Sequence, residues 1–274
     1  MPIPLFHVDA FTDRPFAGNP AAVTLLDAPA SAAWMQSVAA EMNLAETAFL
    51  VERGDGRFAL RWFSPTVEIP LCGHATLASA HVLWAELGDG AEVLAFDTMS
   101  GELRARRLGD GWIELDFPAS VASDATVEPD LLDAVGVAPV RCGATDDGWT
   151  LLEVATAAEV RAARPDLPRL GAVTEHAVIV TAAGDGAGTY GAPPDIVSRV
   201  FGPAIGIPED PVTGSAHCLL ATWWWDRVGK PVLDAEQASA RGGRLLVVLE
   251  GDRVLLRGRA VTTAAGQLRV EPEN

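Results

Sequence analysis

Two stretches of this chain repeat one another, and a repeat of this length points to a fold that is built twice. Residues 61–88 read RWFSPTVEIPLCGHATLASAHVLWAELG, and residues 199–229 read RVFGPAIGIPEDPVTGSAHCLLATWWWDRVG. Each opens Arg-x-Phe-small-Pro (Arg61, Phe63, Pro65; Arg199, Phe201, Pro203), crosses an irregular loop, and reaches a glycine that begins an apolar run closed by another glycine. Segments 73–88 and 214–229 have equal length. Glycines flanking the first and last turns are helix start and stop signals, and a body that is apolar on nearly every face belongs to a buried helix. A shorter match, Thr24-Leu25-Leu26-Asp27 against Thr150-Leu151-Leu152-Glu153, keeps the same order relative to the long one.

Two buried helices with related N-termini have a chemical consequence. A helix N-terminus carries unpaired N–H groups and partial positive charge, which suit a carboxylate or oxyanion. The polar residues gathered there are Cys72, His74 and Thr76 on one side and Asp210, Thr213, Ser215 and His217 on the other. The expectation is that Gly73 and Gly214 lie on facing loops with a small anion between them. Their N–H groups and that of Ser215 would form the cradle, with Thr76 as a further hydroxyl donor and both glycines held in a backbone conformation that only glycine tolerates.

Four ordered motifs, GNPAAV, NLAETAFL, LCGHATLA and EDPVTGSAH, resemble the PhzF family of phenazine-biosynthesis-type isomerases, which share the fold of diaminopimelate epimerase. The likeness runs from Asp9 to about Arg227. It implies an α+β protein of two pseudo-symmetric domains, each a barrel-like, mostly antiparallel sheet wrapped around a central helix, with cofactor-independent proton transfer on a small anionic metabolite in the cleft. It implies Glu46 as general base, His74 as substrate-handling or proton-relaying residue and Asp210 as acid/base partner ahead of Glu209. Asn19, Gly73, Gly214 and Ser215 are the implied substrate-binding positions. The resemblance also implies a homodimer, and a last strand that crosses back to the first domain. The expected domains are therefore 1–118, completed by about 262–274, and 119–261. Many relatives carry Ser before the base, where this chain has Ala45, so the resemblance does not imply the parent phenazine precursor as substrate.

Composition narrows the alternatives. The 274 residues suffice for two domains, and 49% hydrophobic against 21% charged residues argues against wholesale disorder. A net charge of −17 argues against nucleic-acid backbones and anionic membranes as partners. With no signal-type N-terminus and no apolar run of membrane-spanning length, the expectation is a soluble cytoplasmic protein. Three cysteines, Cys72, Cys142 and Cys218, lack CxxC spacing, so reduced thiols are expected.

Along the chain, strands are expected at 5–11, 21–26, 47–52, 58–63, 93–96, 102–108, 112–117, around Val140, and at 149–154, 176–181, 244–250, 253–261 and 267–271. Helices are expected at 29–42 with Ser31 as N-cap, at 131–135 and at 157–164. Gly109-Asp110-Gly111 reads as a hairpin turn, with further turns at Gly251-Asp252 and Gly266.

Each chemical candidate also has a plain structural reading. From position alone, Glu46 is either a tuned carboxylate, its pKa raised by an apolar pocket, or a strand-edge charge. His74 beside a helix N-terminus is expected to be neutral, and Asp210 before Pro211 could be a turn cap. Cys72 invites a thiol-based racemase, but its repeat counterpart is Thr213, so an inert buried thiol is the default. A non-catalytic anion-binding protein fits the helix termini equally well. The only lysine, Lys230, follows the helix-ending glycine and suits no Schiff base. The G-x-G-x-x-G at 186–191 is followed by prolines rather than a helix. The scattered histidines His7, His74, His81, His176 and His217 give no metal-ligand spacing. No cofactor and no metal are expected.

Overall fold

The computed structural model describes residues 2–54, 56–185 and 193–272, so the 186–191 glycine motif lies outside the described residues. The elements run β1 (Ile3–Ala10), β2 (Asn19–Leu26), α1 (Ala32–Met42), β3 (Glu46–Gly54), β4 (Arg57–Phe63), β5 (Glu68–Ile69), α2 (Gly73–His81), β6 (Val93–Thr98), β7 (Gly101–Arg107) and β8 (Ile113–Pro118). They continue with β9 (Ser123–Asp124), α3 (Pro129–Val135), β10 (Arg141–Ala144), β11 (Thr150–Glu153), α4 (Ala157–Ala162), α5 (Leu167–Val173), β12 (Val178–Ala183), β13 (Ile196–Gly202), β14 (Ile207–Asp210), α6 (Gly214–Val228), β15 (Leu233–Gln237), β16 (Gly243–Glu250), β17 (Arg253–Gly258) and β18 (Ala260–Leu268). The chain forms two compact units, 1–117 with 256–274, and 118–255. The return to the first unit thus begins at Leu256 rather than at the expected 262. No described helix is long and apolar enough to cross a membrane.

In the first unit β18 pairs antiparallel with β1, and β1 antiparallel with β2. Then β2 runs parallel to β3, β3 antiparallel to β4, β4 parallel to β6, and β6 antiparallel to β7. The second unit repeats this order: β9 and β10 antiparallel, β10 and β11 antiparallel, β11 and β12 parallel, β12 and β13 antiparallel, β13 and β15 parallel, β15 and β16 antiparallel. Parallel neighbours need a crossover, and each unit supplies two. One carries α1 or the α4–α5 pair; the other carries a short strand (β5 or β14) and the long helix, α2 or α6. The Thr-Leu-Leu match falls on β2 and β11, equivalent strands in the two orders.

The repeated arginines explain why the motif is written twice. Arg61 donates from Nε and Nη2 to Glu68 at 2.6 and 2.8 Å, while its guanidinium lies 5.2 Å from the centre of the Phe63 ring. Arg199 does the same with Glu209 at 2.7 and 2.9 Å and with Phe201 at 4.8 Å. In both units a bidentate fork pins the short strand that leads into the long helix.

Helix α2 is buried from His74 through Ala80 and packs on β1, β2, β3, β7 and β18. It does not run uniformly to Gly88 as expected: after His81 the winding loosens to a π-helical turn over Val82–Glu86, with Leu87 N–H donating to the Val82 carbonyl. Its counterpart α6 is regular through Val228 and ends on left-handed Gly229. Helix α1 begins where Ser31 Oγ accepts from Trp34 N–H, and it buries Trp34, Met35, Val38 and Ala39. Trp34 and Phe63 meet Phe49 edge-on.

Elsewhere the sequence reading needs correction. α5 was not anticipated, although Pro168 in its first turn and Asp166 capping Arg169 N–H are ordinary start signals. β15 was missed as well. The tail strand runs straight through Gly266, which pairs with Leu5, and breaks instead between Gly258 and Ala260. The 109–111 hairpin does join β7 and β8, with Asp110 and Gly111 both at positive φ.

Candidate active site

In the first unit the ends of three elements converge. Asn19 opens β2, Glu46 opens the parallel neighbour β3, and His74 lies in the first turn of α2 just after Cys72, its N-cap. All four are almost fully buried, at 0%, 7%, 5% and 6% exposure for Asn19, Glu46, His74 and Cys72. The imidazole is held at both edges. Its Nε2 lies 2.8 Å from Glu46 Oε2, while Nδ1 lies 3.2 Å from Asn19 Nδ2 and 3.6 Å from Cys72 Sγ. The Glu46 contact is close but poorly aligned: neither Oε2 nor Nε2 completes a well-directed hydrogen bond.

These surroundings overturn the expected neutral His74. Burial works against its protonation, but Cys72 and Glu46 outweigh that, and its pKa is raised well above the ordinary 6.5. Burial pushes the Cys72 thiol up, so the Glu46 carboxylate is the partner on which the imidazolium rests. The helix N-terminus is a weaker influence than a carboxylate in contact. Glu46, for its part, faces His74 and not a purely apolar wall. Structure also corrects the absence of a metal-ligand cluster: Glu46, Cys72 and His74 each place a donor atom within 4.8 Å of the others.

In the second unit Asp210 ends β14 and Thr213 is the N-cap of α6. Thr213 Oγ1 donates to Asp210 Oδ2 at 2.6 Å. Gln237, wholly buried on β15, locks this turn: its Oε1 accepts from Thr213 N–H at 2.8 Å, and its Nε2 donates to the Asp210 carbonyl at 2.7 Å and to Thr213 Oγ1 at 3.1 Å. Sequence reasoning missed Gln237, and a glutamine in a strand gives no local signal. Glu209 is committed to Arg199, which leaves Asp210 as the carboxylate of this turn that bonds at the helix N-cap. Gly214 is buried and Ser215 exposed.

The expected donor Thr76, and His217 near the other N-terminus, are otherwise engaged. Thr76 Oγ1 donates to the Cys72 carbonyl, and His217 Nδ1 lies 2.7 Å from the Thr213 carbonyl, so each closes on its own helix four residues back. Burial lowers the His217 pKa to about 4, leaving it neutral, and raises that of Cys218 to about 12. Gly73 and Gly214 are not at positive φ, so their backbone does not require glycine. Thr213 makes no side-chain cap bond to the first turn of α6, while the Cys72 side chain turns to the His74 ring in the first turn of α2. Lys230 is exposed and pairs with Asp195, away from any nucleophilic role.

Comparison with known proteins shows the family. An uncharacterized isomerase of Pseudomonas aeruginosa is 48% identical over 267 residues, covering 97% of this chain and 98% of that one. The crystal structure of a PhzF-family phenazine biosynthesis protein from Enterococcus faecalis matches with a TM-score of 0.91 at 38% identity, over 98% of this chain and 100% of that one. A hydroxyproline epimerase from Agrobacterium vitis shares the fold, with a TM-score of 0.56 at 14% identity over 97% and 90% of the two chains. The profile of the PhzC-PhzF family, described as phenazine biosynthesis-like protein, matches residues 8–266, and the chain belongs to that family.

Proposed function

We propose that this chain is an isomerase that needs no cofactor and moves a proton on a small carboxylate-bearing metabolite. The observation that carries the reading is the buried Glu46–His74 contact at 2.8 Å, in which neither atom completes a directed hydrogen bond. A buried carboxylate whose contact to histidine is not a directed hydrogen bond can turn to take a proton from carbon, and the adjacent imidazolium can donate one back. In this reading Glu46 is the base and His74 the shuttle. Asp210, held by Thr213, is the second acid/base group; Asn19, Gly73, Gly214 and Ser215 bind the substrate's anionic groups in the cleft that the family resemblance implies. The isomerase name of the Pseudomonas aeruginosa relative supports the reaction class.

The test is incubation in D2O with a panel of small carboxylates, read by mass spectrometry. Deuterium enters a carbon position of at least one compound with the wild-type protein, and the rate falls ~10²–10⁴-fold in Glu46→Gln. Retention of activity within about threefold in that variant would remove Glu46 from the role of base, given this range. A thiol mechanism has one observation in its favour, the 3.6 Å approach of Cys72 to His74. It predicts loss of exchange in Cys72→Ser.

A further inference from the structure

Glu46, Cys72 and His74 form the one trio of possible metal donors found among the described residues, and they come from a strand start and a helix start that the sequence keeps far apart. We infer that this trio is a binding site for a thiophilic divalent cation, with zinc the best match, and that the bound cation takes Glu46 out of proton transfer and so inhibits. The binding itself rests on the geometry of the trio; only its inhibitory sense rests on the proposed isomerase reading.

Thiolate, imidazole and carboxylate are the three side-chain types zinc uses, at about 2.0–2.3 Å, which sets neighbouring tetrahedral ligand atoms about 3.3–3.8 Å apart. Cys72 Sγ and His74 Nδ1 already stand 3.6 Å apart. A donor atom of each of the three lies within 4.8 Å of the others, about 1 Å beyond that tetrahedral spacing. Three protein ligands leave a fourth position open, the pattern of a reactive or inhibitable zinc rather than a sealed structural one. Charge favours the same cation. A buried thiolate and a buried carboxylate together would be prohibitive alone, whereas with a neutral imidazole and a divalent cation the site sums to zero. The protons displaced from the thiol and the imidazole leave to solvent. Magnesium and calcium, which demand several oxygen ligands, gain little here. The surroundings supply support of the kind that orients ligands: Asn19 contacts the His74 ring, and Thr76 fixes the carbonyl of Cys72.

The experiment titrates chelator-treated protein with zinc chloride in competition with a chromophoric zinc chelator, and separately with cobalt(II). The expected result is one zinc per chain, no competition from millimolar magnesium, and at least a tenfold loss of affinity in Cys72→Ala and in Glu46→Gln, with Cys142→Ser unchanged. Cobalt reports on the wild-type protein alone: a thiolate-to-cobalt charge-transfer band marks Cys72 as ligand even if a variant fails to fold. A cobalt spectrum without that band, or zinc affinity unchanged in a folded Cys72→Ala, overturns the inference. Metal binding without any deuterium exchange on the carboxylate panel keeps the site and defeats the isomerase reading; exchange that zinc does not slow keeps the isomerase and removes the inhibitory role.

Discussion

Replacing Gln237 by Leu tests how the Asp210 turn is held. The side chain is fully buried and makes three hydrogen bonds, from Thr213 N–H and to the Asp210 carbonyl and Thr213 Oγ1. Leucine fills nearly the same volume, so little cavity term arises, and the loss is polar. At ~0.5–1.5 kcal/mol net for each bond the total is about 1.5–4.5 kcal/mol. A central value of about 3 kcal/mol corresponds to a fall in Tm of about 6–12 °C for a protein of this size. The assay is urea and thermal unfolding of Gln237→Leu beside Gln267→Leu, an exposed glutamine on β18, whose effect stays within about 0.5 kcal/mol. A Gln237→Leu protein within about 2 °C of wild type refutes the claim that this residue clamps the turn.

His217 sets a pH dependence. Its pKa falls from 6.5 unfolded to about 4 folded, so the stability it contributes is present above pH 6.5 and is lost as pH falls towards 4. The difference amounts to about 3 kcal/mol, and a His217→Gln variant flattens the urea-midpoint profile over that window. His74 has the opposite sign: its raised pKa gives stability fully present below 6.5 and lost as pH climbs through the folded value, so NMR titration finds His74 still protonated where His217 is neutral. Gly18→Ala is strongly destabilising, because φ is +66° and a Cβ would lie 2.1 Å from the Ala10 carbonyl oxygen; the conformation alone costs about 1–3 kcal/mol, read by chemical denaturation. Of the three thiols only Cys142 is not buried, so a maleimide labels it first by peptide mapping, before Cys72 and Cys218.

What could be read from the sequence was whatever repeats or punctuates. Arg61 and Arg199 stood out because the duplicated contact to a glutamate and a phenylalanine needs the same residues twice, and Ser31 and Gly229 because helix ends are chemically marked. Glu46 and His74 entered through family resemblance, and their 2.8 Å approach is a tertiary fact. The charge of His74 was misjudged because a helix terminus is visible in sequence and a partner from another element is not. The same blindness hid the Glu46–Cys72–His74 trio and the Gln237 clamp, each made between elements separated in the chain. The π-helical turn at Val82–Glu86 left no trace, since its residues are as compatible with regular winding.

The antiparallel pairing of β18 with β1 joins residues as much as 265 positions apart, as between Ile3 and Leu268. Synthesis delivers β1 first and β18 almost last, so the nascent first unit waits with one flank of its sheet unpaired while every residue of the second unit is made. An open strand edge recruits other strands, and such waiting intermediates are where chains aggregate or are captured. Ribosome-stalled chains ending before Ala260 should therefore yield a protease-resistant second unit attached to a labile N-terminal region. Release of the final strand is then the event that closes the first unit.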